Sequence, residues 1–299
     1  MIPLHYFKIK LKSMSLLKNF TKTLLVVLIL TLTFQNKTFA DGGFPVRPGR
    51  LLISPSVSYF FASSRWDSTG VKKPFPNGGK YSSIGATIYG EYGISRRFAA
   101  IVSLPFVYND FTQNNTSGST SSGLTDLETG IRYYLANIDF IYYFSLQGTA
   151  ITPLYSNNAA LGYGEEGGEL KLAFSGSGHV GDLSSYFNAS DGVRQYFGTN
   201  GPIQNRYNAT YGLSLDEEYE NQLSVTVSGI NSWSNDKSFN SAIPGTNKDF
   251  SFLQASLSYG HSFSHEISLF LSGGEFLLGR NTGVGTTVSL AFVYRLDYR

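Results

Sequence analysis

The stretch Gly123-Leu-Thr-Asp-Leu-Glu-Thr-Gly-Ile-Arg-Tyr-Tyr-Leu135 decides how this chain is read. At period two, Leu127, Thr129, Ile131, Tyr133 and Leu135 share one face, and Asp126, Glu128, Gly130, Arg132 and Tyr134 share the other. A helix would scatter those charges around its circumference, so the segment is a strand with one apolar and one charged face. Which medium each face meets depends on the rest of the chain.

The same alternation returns at the chain end. Val288, Leu290, Phe292, Tyr294, Leu296 and Tyr298 lie opposite Ser289, Ala291, Val293, Arg295 and Asp297. Between these two stretches and before them, further period-two segments begin near Leu51, Lys80, Phe98, Phe140, Glu169, Ser184, Arg206, Gln222, Phe250 and Glu266. Together they predict about twelve strands joined as hairpins. Polar loops are expected at 63–79, 109–122, 152–168 and 234–248, with a turn at 278–285. Connections after odd strands are the longer ones, so they emerge on one side. Pro55 calls for an irregularity in the first strand. Asp191 shares a face with Phe187, Ala189 and Val193, which predicts a bulge in 184–197.

One face of each strand is bulky and nearly free of charge, while the other is mostly Ser, Thr, Gly and Asn. A soluble barrel or sandwich would carry many Lys and Glu outside. Charged residues make up only 15% of the chain, against about 25% in ordinary soluble domains. The expected fold is therefore all-β: a transmembrane antiparallel β-barrel with short periplasmic turns and longer extracellular loops. It must close, because unpaired strand edges in lipid cost several kcal/mol per group.

Residues 1–40 read as a removable secretory signal peptide. Lys8, Lys10, Lys12, Lys18 and Lys22 precede the apolar run Leu24–Phe34, and Thr38-Phe39-Ala40 supplies a cleavage site. Met1 and Met14 are both candidate starts. Residues 41–50 form a periplasmic lead-in and 51–299 the barrel, located in the bacterial outer membrane. The leader holds six of the 23 basic residues and none of the 21 acidic ones, so the remainder is mildly acidic and no nucleic-acid partner is implied. Zero cysteines exclude disulfides, thiolate metal sites and cysteine nucleophiles.

The charges expected to face the lumen are Glu91, Asp126, Glu128, Arg132, Glu169, Lys171, Arg194 and Arg295. Two readings stay open: a pore lining that selects permeants, or an interior network that makes polar burial tolerable. A barrel of this size lies between the roughly eight strands that side chains fill and the roughly sixteen to eighteen that leave an aqueous channel. Trp66, Trp233 and Tyr108 on the outer side, and Tyr92, Phe98, Tyr133, Phe140, Tyr259 and Tyr298 on the inner side, suit interfacial girdles. The sharper alternative is stacking on an aromatic permeant. His179, His261 and His265 fall in inner turns and make no triad with a serine, so no enzyme, cofactor or metal is expected. Segment 162–168 lacks the Lys-Ser/Thr ending of a phosphate loop and reads as a flexible outer loop.

Residues 123–133 resemble the signature of the meta-pathway phenol-degradation family of exported, transporter-like barrels. Ser103-Leu-Pro-Phe106 and Thr152-Pro153 sit where that family tends to place similar segments. The chain departs from many outer-membrane barrels in ending on Arg299, with its aromatic residue penultimate. The resemblance implies an outer-membrane barrel passing small, often aromatic or hydrophobic, compounds. Expected partners are outer-membrane lipid, a small-molecule permeant and the barrel-assembly machinery. The alternative is a structural or adhesive barrel whose loops carry the function.

Overall fold

The structure, a computed structural model, describes residues 44–114, 116–155, 161–238 and 247–297. The expected leader and Tyr298 lie outside the described residues. In chain order the elements are β1 (Arg50–Trp66), β2 (Lys72–Pro74), β3 (Lys80–Gly93), β4 (Phe98–Gln113), β5 (Thr116–Leu124), β6 (Asp126–Ile138) and β7 (Tyr142–Pro153). They continue as β8 (Gly167–Val180), β9 (Leu183–Tyr196), β10 (Ile203–Ser214), β11 (Asn221–Trp233), β12 (Phe250–Ser262), β13 (Ile267–Arg280) and β14 (Thr282–Asp297). Each wall strand pairs antiparallel with its neighbours, and β14 returns to β1 from Arg50↔Asp297 to Trp66↔Thr282. The Arg50–Asp297 ion pair, Nε to Oδ1 at 2.6 Å, sits at the foot of that seam. β2 is a flap on the end of β1. β5 and β6 both pair with β4 and act as one strand, so the closed wall has twelve strands.

The outer face is apolar and open. Val57, Ile88, Ile131, Leu170, Val225, Leu257, Leu271 and Phe292 are all exposed, an arrangement that water would penalise and lipid favours. On the opening strand Leu127, Ile131 and Leu135 point out while Arg132 and Tyr134 are buried inside, as period two requires. Pro105 breaks this strand's pairing. β6 pairs with β4 up to Ser103↔Glu128, β5 resumes at Phe106↔Leu124, and the Thr125 N–H donates to the Pro105 carbonyl across the gap.

Several expectations need correcting. β9 keeps an unbroken register with both β8 and β10, so it has no bulge. Asp191 stays on the outer wall, where Asn205 donates its amide to it. The irregularity expected at Pro55 is present, though not as a bulge: pairing to β14 lapses at Ser54–Pro55 and resumes in the same register at Ser56↔Ala291. The shifts occur elsewhere, at Ala62/Ser64, Phe111/Gln113, Tyr134/Ala136 and Leu253/Gln254. The expected loop 109–122 is largely the β4–β5 hairpin, and the expected turn 278–285 is strand on both sides of Asn281. Serine and threonine are as compatible with an edge of sheet as with a loop, which is why composition misled there. His179 and His261 lie in the periplasmic ends of β8 and β12 rather than in turns.

Candidate functional site: the lumen

Five strands, β6 to β10, stack their inward charges in layers set by register. The lowest row joins Arg132, Gln147, Lys171, Gly192 and Arg206 as successive cross-strand partners. The row above reads Gly130, Thr149, Glu169, Arg194 and Gln204. Above that stand Glu128 and Tyr196, with Asp126 at the extracellular end of β6. All eight charges expected in the lumen lie on inward faces, and the register brings six of them into two clusters, leaving Asp126 and Arg295 outside both.

The first cluster is centred on Arg132. Its Nη1 donates to both Glu91 carboxylate oxygens at 3.0 and 2.9 Å, while Nε and Nη2 reach Gln147 Oε1 at 3.2 and 3.0 Å. Tyr89 donates to Glu91 Oε2 at 2.8 Å. The second cluster is centred on Arg194, which donates from Nε to Glu169 Oε2 at 2.7 Å and from Nη2 to Glu128 Oε1 at 2.6 Å. Charge-assisted bonds of this kind offset much of the desolvation cost of burying both ions. Arg206 and Lys171 stand further from Glu169, at 3.9 and 3.6 Å. Asp126 is capped by the hydroxyls of Tyr155 at 3.0 Å and Tyr196 at 3.2 Å. Arg295 donates to Ser268 Oγ at 3.1 Å on the far side of the barrel.

The lumen is occupied at both ends. From below, residues 44–49 fold up into the periplasmic mouth. Phe44 packs edge-on against Tyr143 with ring centroids 5.3 Å apart, and the Tyr134 hydroxyl reaches the Phe44 carbonyl and the Val46 N–H at 2.9 and 3.2 Å. The Gly49 N–H donates to Gly93, whose lack of a side chain lets the Arg47 backbone approach. From above, Phe75 leaves the 67–79 connection and enters the barrel beside Ala62, Tyr81 and Phe111. Phe60, Phe276 and Phe252 extend this aromatic cap, the last two stacked at 4.6 Å.

Segment 162–168 is held in place, contrary to the reading of a flexible loop. The Tyr163 hydroxyl donates to the Asn247 carbonyl at 3.0 Å, Lys248 pairs with Glu165 at 3.0 Å, and Gly164 turns at φ 68°. Burial pushes the Tyr163 phenol well above its ordinary range, so it stays a neutral donor. Trp66 is also buried, against Gly279, and is not an interfacial ring; Trp233 and Tyr108 are exposed as expected.

Between the two ends lies a chamber of about 490 Å³. Its wall on the β11–β14 side sets the small hydroxyls of Ser224, Thr226, Ser258 and Ser272 among Gln222, Phe270, Val293 and Arg295. Sequence reasoning missed Arg206, which the parity of β10 places inside with Asn208 and Thr210. It also missed Phe44, in the segment read as a lead-in, and Phe75 and Tyr163, in segments read as loops. Among the described residues no group of three His, Cys, Asp or Glu is placed to hold a metal.

No family model and no curated protein matches this sequence. Among solved structures, an outer-membrane channel from Pseudomonas putida F1 superposes with a TM-score of 0.67 at 11% identity, covering 87% of this chain and 100% of that one. The NanC porin aligns at TM-score 0.49 and 8% identity, over 82% of this chain and 100% of its own. The TodX monoaromatic hydrocarbon channel aligns at 0.45 and 10%, over 85% and 91%. At such identities the Pseudomonas likeness establishes the fold, and the two weaker ones carry no argument.

Proposed function

We propose that this chain is an outer-membrane barrel that passes small solutes passively through a narrow lumen. One observation carries the reading: a chamber inside a closed, externally apolar barrel, with hydroxyl and amide side chains and the charges of Arg132 and Lys171 on its wall. The exposed apolar belt supports the outer-membrane location, since twelve strands leave no edge to be satisfied in lipid. The similar Pseudomonas structure is itself a channel. The resemblance of residues 123–133 to the phenol-degradation family supports permeants with an aromatic or hydrophobic body. Planar-bilayer recording tests this. A conducting barrel whose ion selectivity shifts when Arg132 or Glu128 is neutralised supports it, and a folded but silent barrel contradicts it.

A second reading has its own support. Phe44 and Val46 from below, and Phe75 and Tyr163 from above, narrow both ends of the lumen, as befits a structural or adhesive barrel whose loops do the work. The same recording separates the two.

A further inference from the structure

We infer that the chamber selects small organic monoanions, a carboxylate head carried on an apolar body, and that Lys171 is the residue that reads the head. The inference rests on the channel reading above only for passage; the site itself stands on its own geometry. Among the described residues lining the chamber, the charged ones are Arg132, Lys171 and Arg295, and none is acidic. The carboxylates that balance them are turned away. Glu91 lies buried beside the Tyr134 hydroxyl that holds the lead-in. Glu128 and Glu169 stand in the upper rows against Arg194. Asp126 is capped by Tyr155 and Tyr196 near the extracellular end.

Lys171 differs from Arg132, which holds Glu91 at 2.9 Å, in having no short contact to a carboxylate. Glu169 gives its short contact, 2.7 Å, to Arg194, and leaves Lys171 at 3.6 Å and Arg206 at 3.9 Å. Glu169 thus faces three cations, of which Arg194 also reaches Glu128, and Lys171 keeps 30% of its side chain exposed where it lines the chamber. Gly192, its cross-strand neighbour, has no side chain to cover it. An ammonium in a site of reduced dielectric attracts an anion far more strongly than one in water.

Two further features fit the head and the body. The Ser145 hydroxyl lines the chamber, is 1% exposed, and has no hydrogen-bond partner among the described residues. It is a buried donor whose desolvation an incoming carboxylate would offset. Tyr186, Phe270, Leu52 and Val293 supply apolar lining that a simple inorganic anion would not use.

The test is calorimetric binding of sodium benzoate to the purified, detergent-folded full barrel, with benzamide as the neutral isostere. Benzoate is expected to bind at least tenfold more tightly than benzamide. Lys171→Gln should remove that preference, Lys171→Arg should restore most of it, and Lys72→Gln, an exposed change outside the lumen, should leave it intact. A heat-modifiable gel shift confirms that each variant is folded. Equal binding of the two probes, no binding of benzoate, or a folded Lys171→Gln variant with unchanged preference would overturn the inference. Benzoate binding through Lys171 in a barrel that does not conduct would retire the passage and leave the site standing.

Discussion

The wall built by β6–β10 and the wall built by β11–β14 with β1 face each other across one chamber and are made of different chemistry. The first carries Arg132, Lys171, Arg194 and Arg206 among Glu128 and Glu169, with side-chain bonds reaching across two or three strands. The second carries Ser56, Ser224, Ser258 and Ser272 with Arg295 as its lining charge, and the bonds on it are short and local, such as Ser258 to Ser272 at 2.7 Å and Arg295 to Ser268 at 3.1 Å. Both walls obey the same alternation and the same apolar exterior. What differs is how far a side chain reaches, and so how many strands must be in place before it finds a partner. The charged wall concentrates stability and selectivity in a few residues; the serine wall provides room.

That contrast can be broken most severely at Glu169. Glu169→Ala removes the buried carboxylate that faces Arg194, Lys171 and Arg206, leaves Arg194 only the more exposed Glu128, and should destabilise the barrel by about 3–5 kcal/mol, the usual result of stripping one member from a buried ion pair. Urea unfolding in micelles measures it, and a loss below about 1 kcal/mol would mean the network is incidental. Next comes the boundary between lumen and lipid on the serine wall itself. Phe292→Arg, on the outer face of β14, should cost about 2–4 kcal/mol, whereas Ser289→Arg, one pleat away on the inner face, should cost little. The reverse order would invert the assignment of faces.

A smaller effect is expected at the rim of the serine wall. Burial alone would push the Asp249 carboxyl up, but Arg280 at 2.6 Å and Lys237 at 3.0 Å hold it below its ordinary value. A lowered folded-state pKa contributes stability that is present above the unfolded value near about 3.9 and is lost as pH falls through the folded value. Asp249→Asn should therefore lower the neutral and alkaline plateau of stability and flatten the acid limb of the unfolding curve, with no new pH dependence on the alkaline side. The smallest effect belongs to Ser258→Ala, which removes one neutral hydrogen bond and should cost about 0.5–1.5 kcal/mol by the same urea measurement. A loss as large as that of Glu169→Ala would erase the distinction between the walls.

The contrast also explains what could be read in the sequence. The faces of the opening strand were legible because period two assigns Glu128 and Arg132 inward without reference to any other strand. The same parity held in 184–197, where trusting the apolar pattern over the register predicted a bulge that does not exist. Asp191 is an exception to the apolar face, satisfied by Asn205 on the next strand. Pairing was not legible. Arg194 meets Glu128 across 66 residues of chain, and only the register of four strands brings them together. Nor were the two ends of the lumen, because Phe44, Phe75 and Tyr163 sit in connections that have no period and are placed by the cavity they fill. Loops that looked polar became part of the wall at 109–122 because Ser and Thr serve a strand as readily as a turn.

The central claim is that this lumen is a passage whose charged wall reads what goes through it. The most direct measurement is the reversal potential of the folded barrel in a planar bilayer across a potassium chloride gradient. A small conductance with an anion-favouring reversal potential, moved toward cations by Lys171→Glu, is the predicted result. A correctly folded barrel that carries no current, or one whose reversal potential ignores that substitution, would contradict it.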